Sequence, residues 1–306
     1  GLGYYVEVPA VIFDVERVGP STGLPTRTMQ GDILSVAFLS HGDTKHPMLF
    51  PCSVGEVFTM AQDAFDLAEQ LQTPVFVMLD LDLGMNNWMS DPFPYPEKSP
   101  VRGKVLAAED LERAQDWGRY RDVDGDGIPY RTLPGTRHAR AAYFARGSGH
   151  DENAQYSERP ADYVQNMDRL ARKFQTARQL VPRAEVDDTG NQIGIVAYGT
   201  SHWAVTEARD QLRAEYGLRA DYLRLRAYPF TPEVREFVGR RRRVYVVEQN
   251  RDGQMCDLLR IDLAPGDVEK LRSVRHYNGL PIDARSVTDS IVEQEGILMK
   301  QGAATP

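Results

Sequence analysis

The sequence of 306 residues is long enough to form two domains of ordinary size, each with its own core. Hydrophobic residues make up 42% and charged residues 26%, which is typical of a soluble globular protein, and no apolar run approaches the roughly 18 residues of a membrane span. The net charge of −8 argues against a nucleic-acid-binding surface, because such a surface needs clustered Lys and Arg.

The first part of the chain alternates short apolar runs with an amphipathic segment, and this strand–helix–strand order predicts a parallel sheet. Residues 9–17 end in charge, and we interpret them as a buried strand that delivers polar residues at its carboxyl end. Val18–Thr28 is rich in Gly, Pro, Ser and Thr and is predicted to be a loop. The other predicted elements are a helix over Met29–Ser40, a strand over Met48–Cys52, a helix over Val54–Gln72 and a strand over Val75–Leu79, with Asp80 and Asp82 at its end.

Residues 84–160 have weak periodicity and frequent Pro and Gly, which favours functional loops between domains over regular elements. A strongly periodic helix is predicted over 161–180, and from about Gln192 the β-α-β-α pattern resumes. The predicted elements there are strands over Ile193–Tyr198, Tyr222–Leu225 and Val244–Glu248, helices over His202–Tyr216, Pro232–Gly239 and Gly253–Ile261, and a tail over 290–306.

The cysteines of the chain, Cys52 and Cys256, are far apart in sequence. Their spacing predicts neither a disulfide framework nor a set of iron–sulfur ligands, so any electron-carrying cluster must be held by another polypeptide. The reducing cytoplasm is the simplest compartment for such a chain. Gly1 opens the sequence without the features of a signal peptide, and we expect the chain to be a piece of a longer polypeptide.

The segment Asp14–Thr28 holds the densest set of candidate binding residues. It follows the first predicted strand, and open α/β sheets bind ligands just beyond the carboxyl ends of their strands. Paired arginine donors can grip a carboxylate, and hydroxyl groups can support it. A rigid surface turn with solvated arginines is the alternative interpretation. The candidate substrate-binding residues are Arg17, Arg27, Ser21, Thr22 and Thr26.

The eighteen-residue run Val15–Asp32 resembles the signature of the α-subunits of 2-oxoacid:ferredoxin oxidoreductases, notably the 2-oxoglutarate type. Three later stretches agree with that family and follow its order along the chain. The stretches are Asp122–Gly135, Arg146–Glu152 and Val247–Met255, so the resemblance covers about residues 1–284.

The resemblance implies an enzyme that converts a 2-oxo acid and coenzyme A into acyl-CoA, carbon dioxide and two electrons that pass to ferredoxin. Thiamine diphosphate would be shared with a β-subunit, and that partner would hold Mg²⁺ and a [4Fe–4S] cluster. Arg17 and Thr26 match the positions that contact the 2-oxo acid. The family's cofactor-activating Glu has no match here, so no catalytic residue is assigned, and we expect this chain to be inactive without the β-subunit and the remaining N-terminal part of the α-subunit.

The fold implied by the resemblance is α/β. Residues 1–90 would be the second half of a thiamine-diphosphate pyrimidine-binding domain, residues 91–190 an inter-domain segment with functional loops and a helix, and residues 191–306 a transketolase C-terminal-like domain with its tail. Two alternatives differ in class. One is a non-catalytic assembly or interaction module, and the other is a different thiamine-dependent, transketolase-like enzyme.

Two further candidates come from the loops. Asp122, Asp124 and Asp126 resemble the start of a calcium loop, but Leu133 stands where an EF-hand needs an acidic residue, so a solvated acidic turn competes with a metal site. His150 is a candidate for the substrate-binding rim, because imidazole can donate a hydrogen bond or move a proton near neutral pH; a structural histidine is the alternative. The polar loop after Val247 is interpreted as a contact between subunits or domains rather than a site of chemistry.

Overall fold

The computed structural model describes residues 1–114 and 116–297. The strands are β1 (Ala10–Val18), β2 (Leu24–Thr28), β3 (Met48–Leu49), β4 (Pro74–Asp80), β5 (Glu185–Asp187), β6 (Ile193–Ala197), β7 (Ala220–Arg224), β8 (Ala227–Tyr228), β9 (Arg243–Glu248) and β10 (Leu271–Arg275). The helices are α1 (Leu2–Tyr5), α2 (Ile33–Ala37), α3 (Val54–Leu71), α4 (Leu81–Met85), α5 (Ala108–Arg113), α6 (Pro160–Leu180), α7 (Ser201–Tyr216), α8 (Pro232–Gly239), α9 (Gln254–Asp262), α10 (Pro265–Val268) and α11 (Ala284–Gln294).

The first sheet has the strand order β2-β1-β4-β3-β8. β1 and β4 run parallel in a register that places Glu16 opposite Asp80, so two carboxylates lie side by side at the carboxyl edge of the sheet. β2 folds back antiparallel on the end of β1, pairing Arg17 with Thr28. The prediction that Val18–Thr28 is entirely loop is therefore wrong from Leu24 onwards, because this Pro- and Thr-rich stretch finds its backbone partners in the end of β1.

β1 is also less buried than its apolar sequence predicted. The exposed fractions are 37% for Ile12, 42% for Phe13 and 41% for Val15. Over Ala10–Glu16 the strand pairs with β4 on one side. On its other side, no strand of residues 1–114 or 116–297 pairs with it before the β2 hairpin at Arg17. This part of β1 is an open, apolar sheet edge.

The second sheet has the order β10-β9-β6-β7-β5, with β10, β9, β6 and β7 mutually parallel and β5 antiparallel. The predicted strands and helices between residues 192 and 262 are confirmed, whereas β5 and β10 were not predicted. α7 and α11 pack on one face of the sheet. The core on the other face includes Val246 together with Phe76 of the first sheet, so the two sheets share a hydrophobic core.

The long helices begin at residues that favour helix starts, and their apolar residues repeat with helical spacing. α3 begins at Ser53, whose hydroxyl accepts a hydrogen bond from the Glu56 N–H at 3.2 Å, and its apolar stripe is buried as predicted. α6 begins with Pro160, which suits the first helical position because proline lacks an N–H to leave unsatisfied. The predicted helix Met29–Ser40 shrinks to α2, because Gln30 and Gly31 lie in non-helical backbone that contacts the second sheet.

Two boundary predictions change. The region 84–160 is mostly irregular, as predicted, but it contains α5 and the isolated bridges Val105–Arg131 and His150–Tyr156. The predicted tail is wrong at its start, because α11 continues to Gln294 and buries Ile291 against the second sheet. The remainder of that tail, 298–306, lies outside the described residues. Within the described residues, no helix is both long and apolar enough to cross a bilayer.

Candidate functional site

The candidate site lies where the carboxyl ends of the two parallel sheets face each other. A cleft of about 410 Å³ opens there between the β1–β2 hairpin and the loops that follow β9 and β10. This volume is within the range of small-molecule sites, about 300–1,000 Å³. The cleft is lined by Arg17, Val18, Gly19, Pro20, Ser21, Thr28, Met29, Gly31, Asp32, Arg251, Asp252, Gln254, Tyr277 and Gly279.

The hairpin wall holds the residues that the sequence singled out. Arg17 is exposed, and its Nη1 donates to the Pro25 carbonyl at 2.6 Å, which holds the guanidinium group against β2. Arg17 and Ser21 both line the cleft. The other three hairpin candidates, Thr22, Thr26 and Arg27, are exposed in the same hairpin but are not among the lining residues.

The hairpin is fastened to the second half of the chain through Gly279. The Thr28 N–H donates to the Gly279 carbonyl at 3.1 Å. Gly279 has a φ of +86°, and a Cβ there would lie 3.0 Å from the Arg27 Cβ and 3.1 Å from a Leu24 methyl. Glycine is thus needed both for its backbone conformation and for this close approach.

Gln30 is the polar centre of the contact between the two sheets. Its side-chain Nε2 donates to Asp80 Oδ2 at 3.1 Å and to the Tyr198 carbonyl at 3.2 Å. Its Oε1 accepts from Ser201 Oγ and from the Gln249 N–H, both at 3.1 Å. Every polar atom of this amide therefore has a partner in a buried setting. The sequence argument missed Gln30, although it lies within the eighteen-residue signature that could have drawn attention to it.

Gly199 permits this arrangement. Its φ is +54°, and a Cβ at this position would lie 2.8 Å from Gln30 Nε2 and 3.1 Å from Asp80 Oδ2. Any side chain here would push the amide away from the carboxylate. The turn between β6 and α7 therefore has to be glycine for the two sheets to meet as they do.

Buried carboxylates gather behind the cleft. Glu16 is buried and accepts a hydrogen bond from the Asp32 N–H at 2.9 Å. Burial raises the pKa of Glu16 well above its usual range, and the neighbouring carboxylates Asp14, Asp80 and Asp32 raise it further. Burial also raises the pKa of Asp80, although hydrogen bonds from Thr200 and Gln30 oppose the shift. These groups retain protons to higher pH than ordinary carboxylates.

The loop after β9 is rigidly built from its own side chains. Asn250 Oδ1 accepts from the N–H groups of Gly253 and Gln254 at 2.7 and 3.1 Å, while its Nδ2 donates to the Gln30 carbonyl at 2.9 Å. Glu248 accepts from the N–H groups at the start of α9, including Met255 at 2.8 Å. Through Asn250 and Gln30 the loop contacts the first sheet, which agrees with one of its two predicted roles, a contact between domains. It also brings Arg251 and Asp252 to the cleft, which the sequence did not predict.

The structure does not bring His150 to this cleft. The ring is 2% exposed and sits 4.0 Å from the Tyr120 ring, centroid to centroid. Its Nδ1 lies 3.1 Å from the Ser148 carbonyl and its Nε2 3.2 Å from the Asn166 amide nitrogen. Burial lowers the pKa of His150. These contacts agree with the structural alternative, a histidine that fixes the irregular segment to α6.

The acidic loop Asp122–Asp126 forms ion pairs with a lysine side chain of the same protein. Lys104 Nζ contacts Asp124 Oδ2 at 2.6 Å and Asp126 Oδ1 at 2.8 Å. Asp122 accepts from the Gly127 N–H at 3.1 Å and pairs with Arg172. In the described part of the chain, no group of three or more His, Cys, Asp or Glu side chains is placed to hold a metal ion. These ion pairs agree with the alternative interpretation, an acidic turn rather than a metal site.

The charged residues that line the cleft are two arginines, Arg17 and Arg251, and two aspartates, Asp32 and Asp252, and the arginines offer donors to an anionic organic molecule. Arg17 and Arg251 supply cationic donors from opposite sheets, Gln254 supplies an amide that also binds the Gly31 carbonyl, and Met29 and Pro20 supply apolar surface.

Comparison with known proteins finds a matching family model and several relatives. The family model described as "Pyruvate flavodoxin/ferredoxin oxidoreductase, thiamine diP-bdg" matches residues 1–112. The chain is 33% identical over 299 residues to 2-oxoacid:ferredoxin oxidoreductase 2, subunit alpha, of Aeropyrum pernix, covering 95% of this chain and 44% of that protein. It is 30% identical over 286 residues to the 2-oxoglutarate synthase subunit KorA of Methanothermobacter marburgensis, covering 90% of this chain and 71% of that protein.

A solved structure agrees with these relatives. The chain superposes with a TM-score of 0.82 and 25% identity on the 2-oxoglutarate:ferredoxin oxidoreductase of Magnetococcus marinus, solved with 2-oxoglutarate, coenzyme A and succinyl-CoA bound. The match covers 96% of this chain and 50% of that one. The chain thus spans about half the length of this structure and of the Aeropyrum relative.

Proposed function

The chain belongs to the family of 2-oxoacid:ferredoxin oxidoreductase α-subunits, and from this premise we propose that it forms one wall of an active site that oxidatively decarboxylates a 2-oxo acid. The substrate we favour is 2-oxoglutarate, and the products would be succinyl-CoA, carbon dioxide and two electrons for ferredoxin. The observation that carries the proposal is the exposed Arg17 at the carboxyl end of β1, on the wall of a cleft of about 410 Å³.

Arg17 suits a substrate whose carboxylate must leave. A guanidinium can hold the carboxylate next to the keto group through paired N–H donors, which orients the bond that breaks. Arg17 is exposed to solvent, and its guanidinium also donates to the Pro25 carbonyl. Both features keep its binding of the carboxylate moderate, so the ground state is not over-stabilised relative to the transition state. Ser21 would add a hydroxyl from the same wall, whereas Thr22, Thr26 and Arg27 lie in the hairpin outside the lining of the cleft, and their contact with the substrate stays a prediction.

Thiamine diphosphate, shared with a β-subunit, would supply the carbon nucleophile of the reaction. Residues 1–112 match a thiamine-diphosphate-binding family, and the face of the cleft around Met29 and Pro20 would accept its ring. We propose that the β-subunit holds the diphosphate, its Mg²⁺ and the [4Fe–4S] cluster. The names of the relatives, which describe them as subunits, support the existence of partner chains, and with it the expectation that the chain is inactive alone.

The open edge of β1 supports a further partner, the remaining N-terminal part of the α-subunit. The backbone of Ala10–Glu16 pairs on one side with β4, and its side chains Ile12, Phe13 and Val15 are more than a third exposed. Parallel strands of this composition are normally covered on both faces. A neighbouring strand would pair with the free edge and exclude water from these side chains.

The proposed function is tested on the assembled enzyme, made from this chain with its partner subunits. We expect it to reduce a viologen dye when 2-oxoglutarate and CoA are both supplied. Arg17→Ala should lower turnover by about 100-fold, because the reacting carboxylate loses its orientation. Arg260→Ala, on α9 and paired with its own neighbour Asp257, is the matched control and should keep full activity.

Circular dichroism of Arg17→Ala should match that of the unsubstituted chain, because Arg17 is exposed and its loss leaves no core residue unpaired. Undiminished turnover of this variant across a range of 2-oxo acid concentrations would contradict the role of Arg17. An assembled complex that is colourless, or that reduces no dye with any 2-oxo acid, would favour the assembly-module alternative.

A further inference from the structure

Two arginines from different sheets line the same cleft. Arg17 ends β1 of the first sheet, and Arg251 lies in the loop that follows β9 of the second. A molecule with one carboxylate needs one such partner. Two guanidinium groups on the two walls of one small cleft offer a separate partner to each end of a dicarboxylate.

The backbone at Arg251 is held firmly. Its carbonyl accepts from Arg275 Nη1 at 2.9 Å, and the turn that follows it is bound by Asn250 through Gly253 and Gln254. Asn250 in turn donates to the Gln30 carbonyl, so the loop is fixed to the first sheet. The position from which the Arg251 side chain projects is therefore defined.

The guanidinium group of Arg251 makes one exposed ion pair. It pairs with the carboxylate of the adjacent residue, with Nε to Asp252 Oδ1 at 2.7 Å and Nη2 to Asp252 Oδ2 at 3.1 Å. The side chains of this pair are 73% and 61% exposed, and ion pairs in such settings contribute little stability. A ligand carboxylate can replace Asp252 in this two-bond geometry at small cost.

We propose that Arg251 binds the carboxylate at the far end of a dicarboxylic 2-oxo acid, while Arg17 holds the carboxylate next to the keto group. The inference rests on the proposed function and deepens it by assigning a residue to substrate choice. The far carboxylate takes no part in bond breaking. Holding it stabilises the ground state and the transition state equally, so Arg251 should act on KM rather than on kcat.

The test compares two substrates on the assembled enzyme, 2-oxoglutarate and 2-oxobutyrate, which share the reacting end and differ in the far carboxylate. Arg251→Gln should raise KM for 2-oxoglutarate about 10- to 100-fold, the range for a lost charge-assisted hydrogen-bond pair, and leave kcat within about twofold. The kinetics of 2-oxobutyrate should be unchanged. Asp252→Asn should keep or lower KM for 2-oxoglutarate, because it removes the competing carboxylate.

Arg213→Gln is the matched control. Arg213 pairs locally with Asp210 and is similarly exposed, but it lies on α7 outside the cleft, so neither substrate should respond. The Arg251 assignment is overturned if Arg251→Gln affects both substrates equally or neither, or if the unsubstituted enzyme prefers 2-oxobutyrate. If the unsubstituted enzyme oxidises no 2-oxo acid at all, the proposed function itself fails, and the two failures are thereby distinguished.

Discussion

Adjacent residues at the end of β1 face opposite environments. Strand geometry sends successive side chains to opposite faces of the sheet, so Glu16 enters the buried space between the sheets while Arg17 points into the cleft. One short motif thus supplies both a cation for a ligand and a carboxyl whose pKa is raised by burial. The sequence suggested the first role from residue type. The second depends on burial by the other sheet, which residue type does not reveal.

Glu248 provides a pH-dependent prediction at this scale. Burial raises its pKa to about 7, outweighing the hydrogen bonds from Met255, Asn250 and Cys256 that lower it. A carboxyl with a raised folded-state pKa stabilises the fold below the unfolded value of 4.5 and loses that contribution as pH rises through about 7. The interval corresponds to on the order of 3 kcal/mol.

Urea unfolding of the chain between pH 4.5 and pH 7 measures this effect. The free energy of unfolding should fall as pH rises, and Glu248→Gln should make that fall shallower by up to the amount given above. Glu16 and Asp80 shift in the same direction, so part of the slope should remain. Glu236→Gln, an exposed substitution on α8, should leave the slope as it is. An unchanged slope in Glu248→Gln would rule out its raised pKa as the cause.

At the scale of elements, local patterns explain what the sequence could predict. α3 and α6 have strong 3.6-residue periodicity and good starting residues, so both were located within two residues of their ends. β2 was missed because Pro25 and its Thr neighbours resemble a loop, and its strand character comes from pairing with β1. The ammonium of Lys104, about twenty residues from the acidic loop it neutralises, could not be read from local sequence either.

The attachment of α6 to the N-terminal segment gives an element-scale prediction. Arg169 and Lys173 lie one turn apart on α6, and both pair with the fully buried Glu7, with Lys173 Nζ 2.8 Å from Glu7 Oε2. Burial alone would raise the pKa of Glu7, but the two cations outweigh it and lower the pKa to about 2. Glu7→Gln leaves two buried cations without their counter-charge and should cost about 3–5 kcal/mol of unfolding free energy.

Chemical denaturation at pH 7 compares Glu7→Gln with Asp210→Asn. Asp210 pairs with Arg213 on the surface of α7, and surface pairs contribute about 0–1 kcal/mol, so its loss should be small. Equal destabilisation by the two variants would contradict the view that the Glu7 cluster fastens α6. A loss confined to Glu7→Gln would mark the cluster as a structural unit that the sequence could not reveal, because Glu7 lies 162 residues from Arg169.

At the scale of the whole molecule, the site is made by contact between sheets. The Gln30 N–H donates to the Gln249 carbonyl at 2.9 Å, and the Gln249 N–H donates to the Gln30 side-chain Oε1 at 3.1 Å, across 219 residues of sequence. The sequence predicted both sheets, because these follow from local periodicity, and it singled out the polar segment Val18–Thr28 from its composition but predicted it as a loop. It could not predict that the loop after β9 closes the cleft, since that follows from how the two sheets pack around a shared core.

The open edge of β1 predicts how the chain assembles with its partner subunits. Phe13 is 42% exposed, so Phe13→Asp buries no new charge in the isolated chain and should change its melting temperature little. In a complex that covers this edge, the same carboxylate would be desolvated without a partner, which costs several kcal/mol.

Phe65 is 57% exposed on α3 and makes Phe65→Asp a control of the same chemistry away from β1. Phe13→Asp should therefore reduce co-purification with the partner subunits on size exclusion, whereas Phe65→Asp should not. Equal recovery of the complex with both variants would mean that the edge of β1 is exposed in the assembled enzyme as well, and that its apolar side chains serve another purpose.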